Sequence, residues 1–284
     1  MPSPHRARVV RAAVAAVALT AAMATESTLN QAIAAADAQR AHHHHSGHHA
    51  TAHHPRPKPS QSNPKPAPAK PKPLPGPVFY DVPDRAAALA LPARLDDDGV
   101  AIDVGYADAP VQLALFEDYR CSETARFEAR QGPTLRALIA RHAVLVHYLI
   151  ESSLDERLPG PGALFATNAA RAALAHGGFP LLHALLLANQ GPEEVDGFTP
   201  QRLLGLASRV PGLRSPAFDA EVRTLYWRPW VDAAQHLYDT AGVHHGTPSM
   251  LLNGSEVDLG TRPELLESPS ALQSFVQNAA NRGE

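Results

Sequence analysis

Cys121 is the only cysteine in the chain. It stands in Phe116-Glu117-Asp118-Tyr119-Arg120-Cys121-Ser122-Glu123-Thr124, between an apolar β-type run, Val111–Phe116, and a stretch with helical spacing in which Phe127, Leu135, Leu138 and Ile139 share one face. That junction suits a nucleophile. A helix N-terminus presents free N–H groups and about half a positive charge, which favours a thiolate, and the thiolate is the form that attacks disulfides. The local charges work against each other. Glu117, Asp118 and Glu123 oppose ionisation of the sulfur and Arg120 favours it, so the sequence predicts only a modest net effect. A lone cysteine excludes an intramolecular disulfide framework and every multi-cysteine metal site.

The elements that must hold this residue follow a recognisable order. Val100–Val104 is a short β-type run and Val111–Phe116 a stronger one, followed by the helix after Cys121, which Gly132-Pro133 is expected to interrupt. Ala143–Ile150 (AVLVHYLI) is continuously apolar, as a buried parallel strand is. A helical block follows: Ala169–His176, Leu181–Asn189, Pro200–Arg209 with Thr199 as N-cap, and Ala217–Thr240 broken near Pro229. Ser249–Asn253, an Asn253-Gly254 turn, Glu256–Leu259 and an amphipathic helix over Ser268–Asn281 close the chain. Periodicity supports an α/β protein with a mixed sheet; the strand–helix–strand opening and hairpin–helix ending are the pattern of a thioredoxin-like fold with a helical insertion, placed at about Ala163–Gly242.

Residues 111–133 (VQLALFEDYRCSETARFEARQGP) resemble the first βα unit of DsbA-like exported thioredoxin-fold proteins, which carry a similar FEDY stretch leading into Cys-X-X-Cys. Leu187-Ala188-Asn189-Gln190, the acidic Gly-rich turn after it and Phe198-Thr199 resemble that family's helical insert. Gly246-Thr247-Pro248 followed by Leu251-Leu252-Asn253-Gly254 resembles its cis-proline loop and hairpin. The resemblance spans roughly residues 98–280. It implies that Cys121 is the nucleophile, that Thr247–Pro248 is cis, and that Thr247 and Pro248 orient a substrate peptide beside the sulfur. It implies no organic cofactor, and thiol-containing proteins or peptides as partners. The sequence departs from the family at Thr124, which stands where the resolving cysteine would be. Without a second thiol, a dithiol oxidase cycle cannot run within one chain. Three roles for Cys121 stay open: monothiol exchange with a substrate protein or small thiol, with Thr124 donating to the thiolate from one turn along; a relic in a redox-inactive module that binds peptides or partner proteins at the cis-proline groove; or a packing cysteine.

The 284 residues bear a net charge of −3, but unevenly. Residues 1–77 hold nine Lys or Arg against Glu26 and Asp37, a net of +7, which leaves −10 on the rest. An acidic body argues against nucleic-acid binding, since phosphate neutralisation needs a basic face. Residues 1–24 read as an export signal or N-terminal anchor, with His5, Arg6, Arg8 and Arg11 before the apolar stretch Ala12–Ala24. Residues 25–77 read as a disordered linker. His42–His54 contains eight histidines and Pro55–Pro77 ten prolines, a composition that buries no core. The histidine tract reads either as a transition-metal chelator or as a low-complexity spacer with no ligand role, and no metal site is assigned to it. Residues 78–284 are expected to form the folded domain, in an exported protein with association to a membrane or cell wall through its N-terminal segment left open. Val243-His244-His245 are either loop histidines in solvent or neighbours of the thiol. His142 and His147, flanking a strand, are expected to satisfy local hydrogen bonds, and Trp227 and Trp230 to pack.

Overall fold

The computed structural model describes residues 79–243 and 245–283. The export signal or anchor read over 1–24 and the linker and histidine tract read over 25–77 lie outside the described residues. The chain opens with α1 (Arg85–Ala90), β1 (Ala93–Leu95) and β2 (Ile102–Val104). β3 (Val111–Asp118), α2 (Ser122–Ala140) and β4 (Val144–Glu151) follow. A single 3-10 turn (Ser153–Glu156) then leads into five helices: α3 (Gly162–Ala175), α4 (Phe179–Ala188), α5 (Pro200–Ala207), α6 (Pro216–Thr224) and α7 (Arg228–Thr240). β5 (Ser249–Leu252), β6 (Ser255–Val257), α8 (Glu264–Glu267) and α9 (Pro269–Arg282) complete the described chain.

The six strands make one mixed sheet in the order β1-β2-β4-β3-β5-β6. β3 and β4 are parallel, in register from Val111 opposite Val144 to Asp118 opposite Glu151. β5 runs antiparallel to β3, and β6 to β5. The βαβ unit β3-α2-β4 and the ββα unit β5-β6-α9, joined in this order, are the thioredoxin-like sheet, and α3 to α7 form the insertion between them. The hairpin turn falls on Asn253 and Gly254, both at positive φ (48° and 85°). That pair of left-handed residues matches the strand twist of a two-residue turn.

Alternation along β3 divides the core. Val111, Leu113 and Leu115 enter the main hydrophobic cluster with Phe127, Leu135, Leu138 and Ile139 of α2, while Ala114 and Phe116 pack with Leu149 and Leu237 in a smaller one under α7. Both faces of β3 are therefore covered, so its end is buried even where its residues are acidic.

Three local expectations change. α2 is not interrupted at Gly132-Pro133. The Glu128 carboxylate lies against Gly132, leaving no room there for a Cβ, and pairs with Arg136, bracing the turn on which Pro133 sits. The first strand is shorter than Val100–Val104, because Asp96–Ala101 is a turn: the Ala101 carbonyl accepts from Asp96 N, and Asp96 Oδ1 accepts from Val100 N. β1 on its far side was unread. The break after α6 comes at Leu225 (φ 53°), and Pro229 instead occupies the first turn of α7, where its missing N–H costs nothing.

Several expected local roles hold. Thr199 Oγ1 accepts from Arg202 N at 3.3 Å. His147 is bonded to Asp103 and Gln112, and His142 to Asp108. Trp227 lies under the Arg171 guanidinium at 3.7 Å, and Trp230 Nε1 donates to the Gly99 carbonyl at 3.0 Å.

Candidate active site

β3 ends at Asp118, and Cys121 is the N-cap residue of α2, with extended backbone (φ −67°, ψ 118°) and no capping bond from its side chain. The residue is 9% exposed. Its Sγ donates to the Thr247 carbonyl oxygen at 3.0 Å. The Thr247–Pro248 peptide bond is cis, and Pro248 is buried. The fold thus brings together, across the sheet, two pieces of chain 126 residues apart: the thiol from the βα turn and the loop that enters β5. Thr247 meets the sulfur through its backbone.

Thr124 is fully buried, and its Oγ1 has no hydrogen-bond partner. The bond from the Thr124 hydroxyl to the sulfur is not made; the sulfur instead donates to the Thr247 carbonyl. Arg120 is also differently employed. Its guanidinium is buried and committed to Asp155 Oδ1 at 2.7 Å, the Gly160 carbonyl at 3.0 Å and the Glu193 carbonyl at 3.3 Å. It ties the insertion to the end of β3 rather than serving the thiol as a free cation. His245 is exposed, and His244 lies outside the described residues.

The acidic neighbours differ from their appearance in sequence. Glu117 points into the main core, is 1% exposed, and neither carboxylate oxygen has a hydrogen-bond partner. Burial, reinforced by repulsion from Glu128, raises its carboxyl well above the ordinary range. His183 Nε2 lies 3.5 Å from it, and burial followed by repulsion from Arg136 pushes the His183 imidazole down to about 3. His183 Nδ1 is 3.1 Å from the Tyr119 hydroxyl. The three form a buried cluster in which burial favours the neutral form of Glu117 and of His183.

Asp118 faces the other way. It accepts from Arg120 N at 2.7 Å and Leu154 N at 3.1 Å, yet burial raises it to about 7. Its register partner Glu151 is raised to about 8, by burial and then by Asp118. Burial therefore favours the neutral form of two of the three acids expected to repel a thiolate, and Glu123 is exposed on α2.

Glu193, which sequence reasoning did not single out, completes the site. Its Oε2 accepts from Ser122 N at 2.8 Å and Ser122 Oγ at 2.7 Å. Gln190 Nε2 donates to the Tyr119 carbonyl at 2.7 Å. The acidic Gly-rich turn after Asn189 was a visible signal, but which of its carboxylates folds back was not.

A single thiol at the N-terminus of the first helix of a βαβ–ββα sheet, facing a cis-proline loop, defines the thioredoxin-like class. A family model described as Thioredoxin matches residues 97–275, well over half of the chain. The chain belongs to this thioredoxin family. Solved structures agree on the fold. Reduced disulfide-bond oxidoreductase DsbG of Mycobacterium tuberculosis is 21% identical with a TM-score of 0.54, covering 63% of this chain and 86% of that one. Oxidised DsbA of the same organism is 21% identical with a TM-score of 0.53, covering 63% and 92%. Oxidised BdbD of Bacillus subtilis is 18% identical with a TM-score of 0.53, again over 63% and 92%. No curated protein matches the chain.

Proposed function

We propose that this is an exported protein whose Cys121 carries out monothiol–disulfide exchange with a substrate protein or a small thiol. The observation that carries the reading is the 3.0 Å contact between Cys121 Sγ and the carbonyl of Thr247, on the residue before the cis-proline. It sets the sulfur at a helix N-terminus, against a backbone edge that an extended peptide can use. The Cys121 thiolate attacks one sulfur of a disulfide R–S–S–R; a Cys121–S–S–R bond forms and RS⁻ leaves. A second thiolate R′S⁻ then attacks the R sulfur, giving R–S–S–R′ and returning Cys121 as thiolate. No net oxidation of the protein is needed, so the absence of a second cysteine is no obstacle. The solved structures named above include a disulfide-bond oxidoreductase, which supports the reaction class. In this reading Thr247 and Pro248 position the substrate peptide, and Thr124, fully buried in the first turn of α2, holds that turn by packing. Export rests on the charged and apolar pattern of residues 1–24, and residues 25–77 act as a spacer.

The competing reading is a redox-inactive module that binds peptides at the same groove. The low exposure of Cys121 favours it. Incubating the full chain with a symmetrical small disulfide and following mass separates the two. A single adduct, absent in Cys121→Ser, supports exchange. A folded protein that stays unmodified until denatured leaves the binding module as the better account.

A further inference from the structure

The segment 190–196 is fastened to the cysteine turn from both sides. Gln190 holds the Tyr119 carbonyl, Arg120 holds the Glu193 carbonyl, and Ser122 donates twice to the Glu193 carboxylate. At the far end the Asp196 carboxylate packs against Gly160 and Gly162, where no Cβ would fit. Glu193 therefore straddles Cys121: residue 120 binds its main chain and residue 122 its side chain. Ser122 N is among the first N–H groups of α2, which have no acceptor within the helix. The cap residue offers no help at this end of the helix: its sulfur makes no capping bond and is engaged on Thr247. Glu193 supplies the missing acceptor and brings a full negative charge to the helix end where a thiolate would sit.

We propose that Glu193 is a positioning residue for Cys121: it caps the first N–H of α2, fixes the turn that carries the sulfur, and by its charge disfavours the attacking form of that sulfur while the segment is docked. Two anions compete for one helix terminus. The hydrogen bonds from Ser122 hold the Glu193 carboxyl below its ordinary range, so its charge is present throughout neutral pH. Other groups around the sulfur come from several elements. Asp118 ends β3 and its carbonyl accepts from Cys121 N, Glu123 and Arg126 are on α2, Asp155 pairs with Arg120, Arg157 acts on Glu193, Glu194 is on the same segment, and His245 is on the cis-proline loop. Arg120 and Arg126 are paired, with Asp155 and with Glu123 and Glu267, which leaves Glu193 as the charge bonded directly to the residue after the cysteine.

The inference rests on the reading of Cys121 as a nucleophile, but its test does not need reactivity. The thiolate absorbance of the full chain, taken as a difference from Cys121→Ser, is titrated in wild type, Glu193→Gln and Glu194→Gln. Glu193→Gln keeps an oxygen for Ser122 and removes the charge. Its midpoint is expected to fall by about half to one pH unit, and its alkylation below that midpoint to speed up about three- to tenfold. Glu194→Gln shifts little. A Glu193→Gln midpoint that stays or rises overturns the proposal. Failure of the wild type to form any mixed disulfide sinks the exchange reading instead and leaves the titration result standing.

Discussion

Glu117 on β3 and Glu128 on α2 are both almost wholly buried carboxylates of the first βα unit, and the fold treats them in opposite ways. Glu128 pairs with Arg136, which also binds Asp84 at 2.6 Å, so an ionic triad spans α2 and the turn before α1. Burial pushes the Glu128 carboxyl up and the Arg136 guanidinium pulls it back. Glu117 has no cation. Its neighbours are His183, Tyr119 and the repulsive Glu128, and burial pushes its carboxyl well above the ordinary range. A buried charge survives where a guanidinium reaches it and is neutralised where none does. The thiol site inherits this rule: Arg120 is spent on Asp155, and burial drives Asp118 and Glu151 upward, with repulsion from Asp155 added at Asp118 and from Asp118 at Glu151.

The contrast can be broken most forcefully at Arg136. Arg136→Met strands Glu128 and Asp84, and urea unfolding is expected to show a loss of about 3–5 kcal/mol; a loss under about 1 kcal/mol would mean that the triad is not the charged unit described. Alkaline pH should act next. Unfolded, Glu117, Asp118 and Glu151 titrate near their ordinary values; folded, Asp118 titrates at about 7, Glu151 at about 8 and Glu117 well above the ordinary range. The folded state thus holds protons that the unfolded state has released. The stability these groups contribute is complete below about pH 4 and is lost as pH rises through 7 and 8. Glu117→Gln, which fixes the neutral form, should gain progressively on wild type as pH rises. Parallel curves for the two proteins would place a charge on Glu117.

A smaller effect is expected at Thr124, whose hydroxyl is buried without a partner. Thr124→Val should raise stability by about 1 kcal/mol, since an unmatched polar atom is removed at constant shape; a decrease would reveal a bond to the hydroxyl. Smallest of all, deleting residues 25–77 should leave the thermal midpoint of the domain within about 1–2 °C, because that composition contributes little apolar surface. A drop beyond that range would mean that the segment packs on the domain.

Much of the architecture was written locally. The alternation of Val111–Phe116, the unbroken apolar run of Ala143–Ile150, the Thr199 cap and the Asn253-Gly254 turn are short-range patterns, and each became the expected element. Cys121 stood out at a strand–helix junction, but the cis Thr247–Pro248 bond was legible only through the family resemblance, since an X–Pro bond taken alone favours trans. What stayed hidden depends on contacts between distant residues. Nothing near Arg120 says that Asp155, 35 residues on, will take it from the thiol. Nothing in Thr124 says that its hydroxyl will end without a partner, and nothing in Glu193 that it will cap a helix 71 residues back. The charges of Glu117 and Asp118 could be counted in the sequence, but not their protonation. That depends on which cations reach them and how much water is left around them, and both are settled only when the strands, α2 and the helical insertion close over the end of β3.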